Sequence, residues 1–339
     1  MQSPERAHGQ VVEAAFRPHP WLRGAHAQTI VSTLLRPLPR LDLRHERLEL
    51  PDGDFVDLGW SGPEHSSRIA VLIHGLTGGF QSKYLRGLAQ QLIRRGWRTA
   101  ILQLRGGGDE PNRHPRCYHH GDTGDLRYLW RVLQQREPGV RLASVGWSLG
   151  ANVLLKALGE EGDAAPVAAA AAGSAPFLLE PCAEKLRSGS SRIYQRKLLK
   201  ALAEIVRRKN AAVPVPAHVD LGRALRARDF FEFDDAYTAP MNGFRDARDY
   251  YARCACGPYL KSIRRPTLIV NARDDPFMTP QVLPTADMLS PWVQLEVSRR
   301  GGHVGFLAAG ERGRPVYWLE QRFAEYLDTA VGAAPEQGP

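Results

Sequence analysis

From about residue 66 onward, apolar positions along the chain switch repeatedly between two rhythms. Ile69-Ala70-Val71-Leu72-Ile73 is a continuous apolar run, the signature of a strand covered on both faces. Leu85, Leu88, Ala89, Leu92 and Ile93 then recur at helical spacing behind Ser82, a capping residue, and Gly96 closes the segment. Residues 99–104 read as the next strand, 125–133 as a helix and 140–145 as a further strand. Ala151, Leu154, Leu155 and Leu158 return to the helical period, and residues 167–172 form another apolar run. Strands that alternate with helices predict an α/β protein built on a mostly parallel twisted sheet flanked by helices.

The rhythm breaks between residues 177 and 261, where no clean strand is legible. Residues 191–209 (SRIYQRKLLKALAEIVRRK) are amphipathic and basic, and Phe230-Phe231-Glu232-Phe233-Asp234-Asp235 follows. This section predicts a helical lid inserted over the sheet. Strand patterns return at 266–271 and 292–298, and a last helix is expected at 315–327. Ahead of the sheet, residues 48–60 (LELPDGDFVDLGW) predict an antiparallel edge hairpin turning at Asp52-Gly53. The expected organisation is an N-terminal extension and hairpin over 1–60, and an α/β core over 61–176 and 262–330. The lid takes 177–261, and a disordered tail 331–339.

Composition narrows the partners. At 43% hydrophobic and 24% charged residues, the chain is of the ordinary globular type. Its net charge of +9 could attract nucleic acid or anionic lipid. Yet 38 of its 45 basic residues are scattered arginines and no nucleic-acid motif accompanies them, so no nucleic-acid partner is expected. Residues 191–209 are expected to pack on the sheet with their charges in water, a weak peripheral contact with anionic membrane being the alternative. Cys117, Cys182, Cys254 and Cys256 lack paired C-x-x-C spacing and are expected to be free thiols in a reducing compartment. The opening MQSPERAHGQ has no apolar signal core, and the longest bland apolar run, 167–173, is too short for a membrane span. A cytoplasmic location is expected.

Candidate chemistry centres on SVGWSLGAN, residues 144–152, which contains G-x-S-x-G. With 32 glycines in the chain, chance alone gives this pattern in roughly one chain of eight. Its setting between a buried strand and a helix is what a nucleophile elbow requires, which makes Ser148 the candidate nucleophile. Such a serine needs a base, and the base needs a carboxylate to orient it. Ala272-Arg273-Asp274-Asp275-Pro276-Phe277 and Gly301-Gly302-His303-Val304-Gly305-Phe306 each follow a predicted strand, in the order Ser, acid, His. His303 is the candidate base, against the blander reading of a loop histidine bonded to a carbonyl. Ala272 and Pro276 favour Asp275 over Asp274 as the acid. The oxyanion donors expected are the backbone amides of Leu149, after the nucleophile, and Leu76, in the His74-Gly75-Leu76 turn; His74 itself reads as scaffolding. Arg105-Gly106-Gly107-Gly108-Asp109-Glu110-Pro111-Asn112-Arg113 lacks a phosphate-loop pattern and reads as a structural loop beside the site. Tyr118-His119-His120-Gly121-Asp122 shows no third metal ligand, so neither metal nor cofactor is expected.

Together these residues place the chain near a known group. Gly24-Ala25-His26-Ala27-Gln28-Thr29, Pro51-Asp52-Gly53-Asp54, Glu110-Pro111-Asn112-Arg113, Ser174-Ala175-Pro176-Phe177 and Glu232-Phe233-Asp234-Asp235 join the motifs above. The chain resembles the YheT-like hydrolases, a branch of the α/β-hydrolase superfamily, from about residue 17 to 327. One departure is Gly107-Gly108-Asp109, where the pattern would carry a small Cys/Ser-containing run. The resemblance implies carboxylic-ester hydrolysis by Ser148, Asp275 and His303 without a cofactor. Its substrate would be a short- to medium-chain acyl ester, with monoacylglycerol and phospholipid as candidates. An acyltransferase using the same acyl-enzyme is the alternative, and a non-catalytic interaction protein on the same fold is the second. Aspartate-nucleophile hydrolases of this fold are disfavoured by the serine at position 148.

Overall fold

The computed structural model describes residues 7–332. In chain order its strands are β1 (Gln10–Glu13), β2 (Arg44–Glu49), β3 (Phe55–Ser61), β4 (Arg68–Ile73), β5 (Arg98–Gln103), β6 (Arg141–Trp147), β7 (Ala169–Gly173), β8 (Thr267–Ala272), β9 (Val293–Ser298), β10 (Leu307–Ala309) and β11 (Pro315–Tyr317). The helices of the core are α1 (Ala25–Ile30), α2 (Lys83–Ile93), α3 (Gly124–Arg136), α4 (Leu149–Glu161) and, at the end, α11 (Trp318–Val331). Between β7 and β8 lie α5 (Leu179–Leu186), α6 (Arg192–Ala212), α7 (Leu221–Leu225), α8 (Phe230–Phe233), α9 (Ala239–Met241) and α10 (Ala247–Cys254).

Nine strands form one sheet in the order β1-β9-β8-β7-β6-β4-β5-β3-β2. Pairing is parallel from β1 through β5 and antiparallel from β5 to β3 and β3 to β2. The edge hairpin turns where Asp52-Gly53 predicted, with Gly53 at φ 81. β1 was not legible in the sequence because most of its four residues are exposed and carry no apolar pattern. The last helix starts later than expected, since Pro315–Tyr317 pair antiparallel with Leu307–Ala309 before Trp318. It continues to Val331, and residues 333–339 of the expected tail lie outside the described residues.

The sheet separates two apolar layers because successive strand side chains point to opposite faces. Ile69, Val71 and Ile73 of β4 join one layer, with Leu126, Leu129, Trp130 and Leu133 of α3 and Leu154, Leu155 and Leu158 of α4. Ala70 and Leu72 join the other, with Leu85, Leu88 and Leu92 of α2 and Leu319, Phe323 and Leu327 of α11. The strands β6 and β7 use Ala143, Ala169, Ala170, Ala171 and Ala172 where helices approach. A third apolar cluster belongs to the inserted helices and holds Leu186, Leu199, Val206, Phe230, Phe233 and Tyr251. The basic helix α6 packs against α5, α7 and α8 within that cluster. This corrects the expectation that it would lie on the sheet: the insertion has apolar surface enough to supply its own partner face.

The Gly-rich loop after β5 is structural, as its sequence suggested. Arg105 is buried and forms a two-pronged pair with Asp125 at 3.0 and 2.6 Å, and also reaches Asp52 at 2.6 Å. Asn112 donates to Asp54 and to the Phe55 carbonyl, while the Gly106 amide donates to Asn112. The hairpin turn, the end of β5 and the start of α3 are thereby tied at one buried cation. Removing one partner of such a pair leaves the others desolvated and unbalanced. Arg105→Ala is therefore expected to lose about 3–5 kcal/mol of stability, read as a lowered urea midpoint; an unchanged midpoint would show the network to be incidental.

Candidate active site

β6 stands fifth of nine in the sheet, and the residue that follows it is Ser148. The strands beside it end level: Ile73 pairs with Gly146, and Trp147 with Gly173. The loops after β4, β6, β7, β8 and β9 thus open on one edge, at the carboxyl ends of parallel strands, where sheets of this type hold ligands.

Ser148 sits at φ 52, ψ −118, a conformation that L-residues adopt only when the surroundings hold it. Its amide donates to the Gly173 carbonyl at 2.9 Å and its carbonyl accepts from Asn152. The flanking glycines are required by space. A Cβ on Gly146 would lie 2.3 Å from the Gly150 carbonyl oxygen, and one on Gly150 would lie 2.5 Å from that of Ile73. Asn152, buried at the end of the motif, donates to the carbonyls of His120 and Cys254 and accepts from the Cys256 amide. Trp147 turns into the core between Tyr84 and Phe323.

His303 lies with Nε2 2.9 Å from Ser148 Oγ and Nδ1 2.8 Å from Asp275 Oδ2. The tautomer that satisfies both carries its proton on Nδ1, donating to Asp275, and leaves Nε2 to accept from the serine hydroxyl. The second oxygen of Asp275 accepts from the Phe277 amide at 2.8 Å. Asp274, the other sequence candidate, points elsewhere: its carboxylate accepts from the Gly302 amide at 3.1 Å and so joins the two loops. Burial pushes its carboxyl upward.

Several supporting residues were not singled out from the sequence. The His303 amide donates to Thr29 Oγ1 at 2.9 Å, and the Leu307 amide to Gln28, whose own amide donates to Leu307 and Leu22 carbonyls. Phe277 stacks on the His303 ring at 3.9 Å, and Tyr194 of α6 packs on Phe277 at 5.0 Å. The signal for Gln28 and Thr29 lay inside the Gly24–Thr29 motif, but its partners stand some 280 residues away in sequence.

In the turn after β4, the amides around Leu76 are committed. Gly75 donates to Tyr84 Oη, Thr77 to Tyr118 Oη, and Gly78 to the Gly75 carbonyl. Leu76 borders the same cleft as Ser148 and His303, and Leu149 follows Ser148 as the first residue of α4, where helix amides lack intrahelical acceptors. His74 donates from Nδ1 to the Gly75 carbonyl and accepts the Leu104 amide on Nε2. Burial lowers it to about 4, which fits the scaffold role read from sequence. Burial likewise lowers His119 and His120 to about 3; His120 shares a hydrogen bond with Tyr250 at 2.8 Å. The four cysteines are free and buried, and no cluster of metal-binding side chains occurs among the described residues.

The cleft above Ser148 encloses about 70 Å³ and is walled mostly by apolar side chains, among them Leu179, Leu186, Leu198, Phe230 and Met278. A branch of about 40 Å³ continues past Leu76 and His120 toward Leu202, Val206 and Tyr237. Asp234 borders both. Burial pushes its carboxyl up to about 7, although the Tyr251 hydroxyl donates to it at 2.7 Å.

A model of the family described as "alpha/beta hydrolase fold" matches residues 71–309. The Escherichia coli (strain K12) protein named "Putative esterase YheT" is 42% identical over 94% of this chain and 95% of its own. The chain belongs to the YheT-like branch of the α/β-hydrolases. Mouse (Mus musculus) "Phospholipase ABHD3" is 28% identical over 96% of this chain and 80% of its own length. Among solved structures, the Pyrococcus furiosus esterase Pf2001 superposes with a TM-score of 0.56 at 16% identity, over 86% of this chain and 94% of that one, a likeness of fold. Within this α/β-hydrolase, the branch motifs of the sequence mark the contacts just described: Gln28 and Thr29 hold the histidine loop, and Asp52, Asp54 and Asn112 surround Arg105.

Two measurements check these assignments. Thr29→Val keeps the shape but leaves the buried His303 amide unpaired, which costs about 1–3 kcal/mol. Turnover should fall roughly 10- to 100-fold with the fold retained by circular dichroism, whereas unaltered turnover would remove Thr29 from the site. His74, His119 and His120 would ionise near 6.5 when unfolded but stay neutral when folded, so each contributes stability that is full above pH 6.5 and lost as pH falls toward 4. Asp234 acts in the opposite sense, because its folded carboxyl keeps a proton to about 7. In labelled protein, the imidazole resonances of these three histidines should stay fixed from pH 8 to 5; titration near 6.5 would contradict their burial.

Proposed function

We propose that this chain is a serine hydrolase of carboxylic esters in which Ser148 is the nucleophile, His303 the base and Asp275 the group that orients it. The observation that carries this is the hydrogen-bonded run Asp275–His303–Ser148, at 2.8 and 2.9 Å, on a strained elbow at the floor of an apolar cleft. An ester enters with its carbonyl carbon over Ser148 Oγ. His303 Nε2 takes the hydroxyl proton as the oxygen attacks, and Asp275 stabilises the imidazolium that forms. The Leu76 and Leu149 amides receive the negative charge of the tetrahedral intermediate. The alcohol departs with the proton held on Nε2, leaving an acyl-enzyme. Water then repeats the sequence and releases the acid.

The apolar walls and small free volume of the cleft favour short- to medium-chain acyl esters, and the phospholipase name of a relative supports phospholipid as one physiological form. Ser148→Ala is expected to abolish fluorophosphonate labelling and to cut ester turnover by about 10⁶; full labelling of that variant would remove Ser148 as nucleophile. Asp275→Asn should lose on the order of 10⁴ in kcat by favouring the wrong tautomer, while Asp274→Asn loses far less. A larger loss in Asp274→Asn than in Asp275→Asn would return the choice of acid to Asp274. Across p-nitrophenyl esters, kcat/KM should peak between four and eight carbons and fall at least tenfold at sixteen.

A further inference from the structure

α6 has two faces with opposite duties. Its inner side chains Leu198, Leu202, Ile205 and Val206 wall the cleft and its branch. Its outer side presents Arg192, Arg196, Lys197, Lys200, Arg207 and Arg208 to solvent, with Glu204 as the acidic exception. Between α6 and the α7–α8 segment runs an open groove of about 650 Å³ bordered by Arg187, Arg192, Arg196, Lys200, Arg207 and Arg228. Asp229 at its edge is engaged by Arg187 at 3.1 Å. Among the described residues, the side chains of Arg192, Arg196, Lys200 and Arg228 form no ion pair with a carboxylate, and Glu232 accepts only from the Arg228 backbone amide at 2.8 Å. On the same helix as these cations, Ile193 is 65% exposed.

We infer that this outer face of the lid docks the protein on an anionic phospholipid bilayer. The stripe from Arg192 to Arg207 covers 16 residues of helix, whose ends lie roughly 22 Å apart at about 1.5 Å per residue. That is far longer than one phosphate and suits a surface that offers many. Exposed Ile193 supplies an apolar side chain for the acyl boundary, the pairing of cations and apolar groups that interfacial helices use; a nucleic-acid backbone has no use for it. Docked in this way, α6 separates the headgroups from the Ser148 cleft by one helix diameter, about 10 Å. At the start of α6, Ser191 donates to the Pro276 carbonyl at 2.6 Å and Tyr194 shares a hydrogen bond with His26 at 2.8 Å, which fixes the docking face relative to the acid loop.

Each basic residue near an anionic bilayer raises partitioning about fivefold. Full-length protein should therefore co-sediment with vesicles of phosphatidylcholine and phosphatidylglycerol at 7:3 in 50 mM salt, and not with phosphatidylcholine alone. Binding should fall steeply at 500 mM salt, and Arg192→Gln/Arg196→Gln/Lys200→Gln should weaken it on the order of 100-fold. Hydrolysis of a soluble p-nitrophenyl ester by that variant should stay unchanged, which reports its folding independently of the docking. Equal binding by the variant, or no binding to the anionic vesicles, would overturn the inference. So would binding of a duplex DNA probe in place of vesicles, which would assign the stripe to nucleic acid.

Discussion

The constraint on which this structure turns is the backbone of one residue. Ser148 is held at φ 52, and nothing in a serine prefers that conformation. It persists because β6 is fixed on both sides by parallel neighbours and because α4 begins at once, so strand and helix meet in a turn with no spare residue. The close approach this demands explains Gly146 and Gly150, whose missing side chains let the turn and β4 touch. It also explains why Trp147 faces the core between Tyr84 and Phe323. An aromatic anchor on one side of the serine and a buried Asn152 on the other keep the hydroxyl facing the open end of the sheet.

The same economy governs the loops around it. Asp275 accepts from the Phe277 amide and from the His303 ring, and Asp274 clamps the histidine loop from the acid loop. Thr29 and Gln28 close the arrangement from the opposite end of the chain. Phe277 adds a flat wall against the imidazole, and Tyr194 carries that wall to the lid. Ser148, His303 and Asp275 therefore rest on a continuous packed surface, which is what the proposed chemistry requires of their positioning.

Much of this was legible in the sequence, for physical reasons. β4, β6, β7 and β8 announced themselves because strands covered on both faces must be apolar throughout, and the G-x-S-x-G spacing is imposed by the elbow's lack of room. The edge strand β1 left no trace, since a mostly exposed strand of four residues has no pattern to impose. Thr29 was hidden for another reason: its hydroxyl is paired with a backbone amide, and a hydroxyl–amide contact across the whole chain leaves no periodicity. The placement of α6 was misjudged because an amphipathic helix reveals that it has an apolar face, and not which surface will cover it.

The site is also remarkable for little except how late it can exist. Ser148 lies in the middle third of the chain, Asp275 and His303 lie in the last, and the histidine's amide is paired with Thr29 from the first. During synthesis, a nascent chain that has already formed the elbow still lacks its base until more than 150 further residues have emerged. On the proposed mechanism, a product that ends before residue 303 carries a serine without its base. Activation of Ser148 on that mechanism needs the loop that follows β9 and Thr29 from the other end of the chain together.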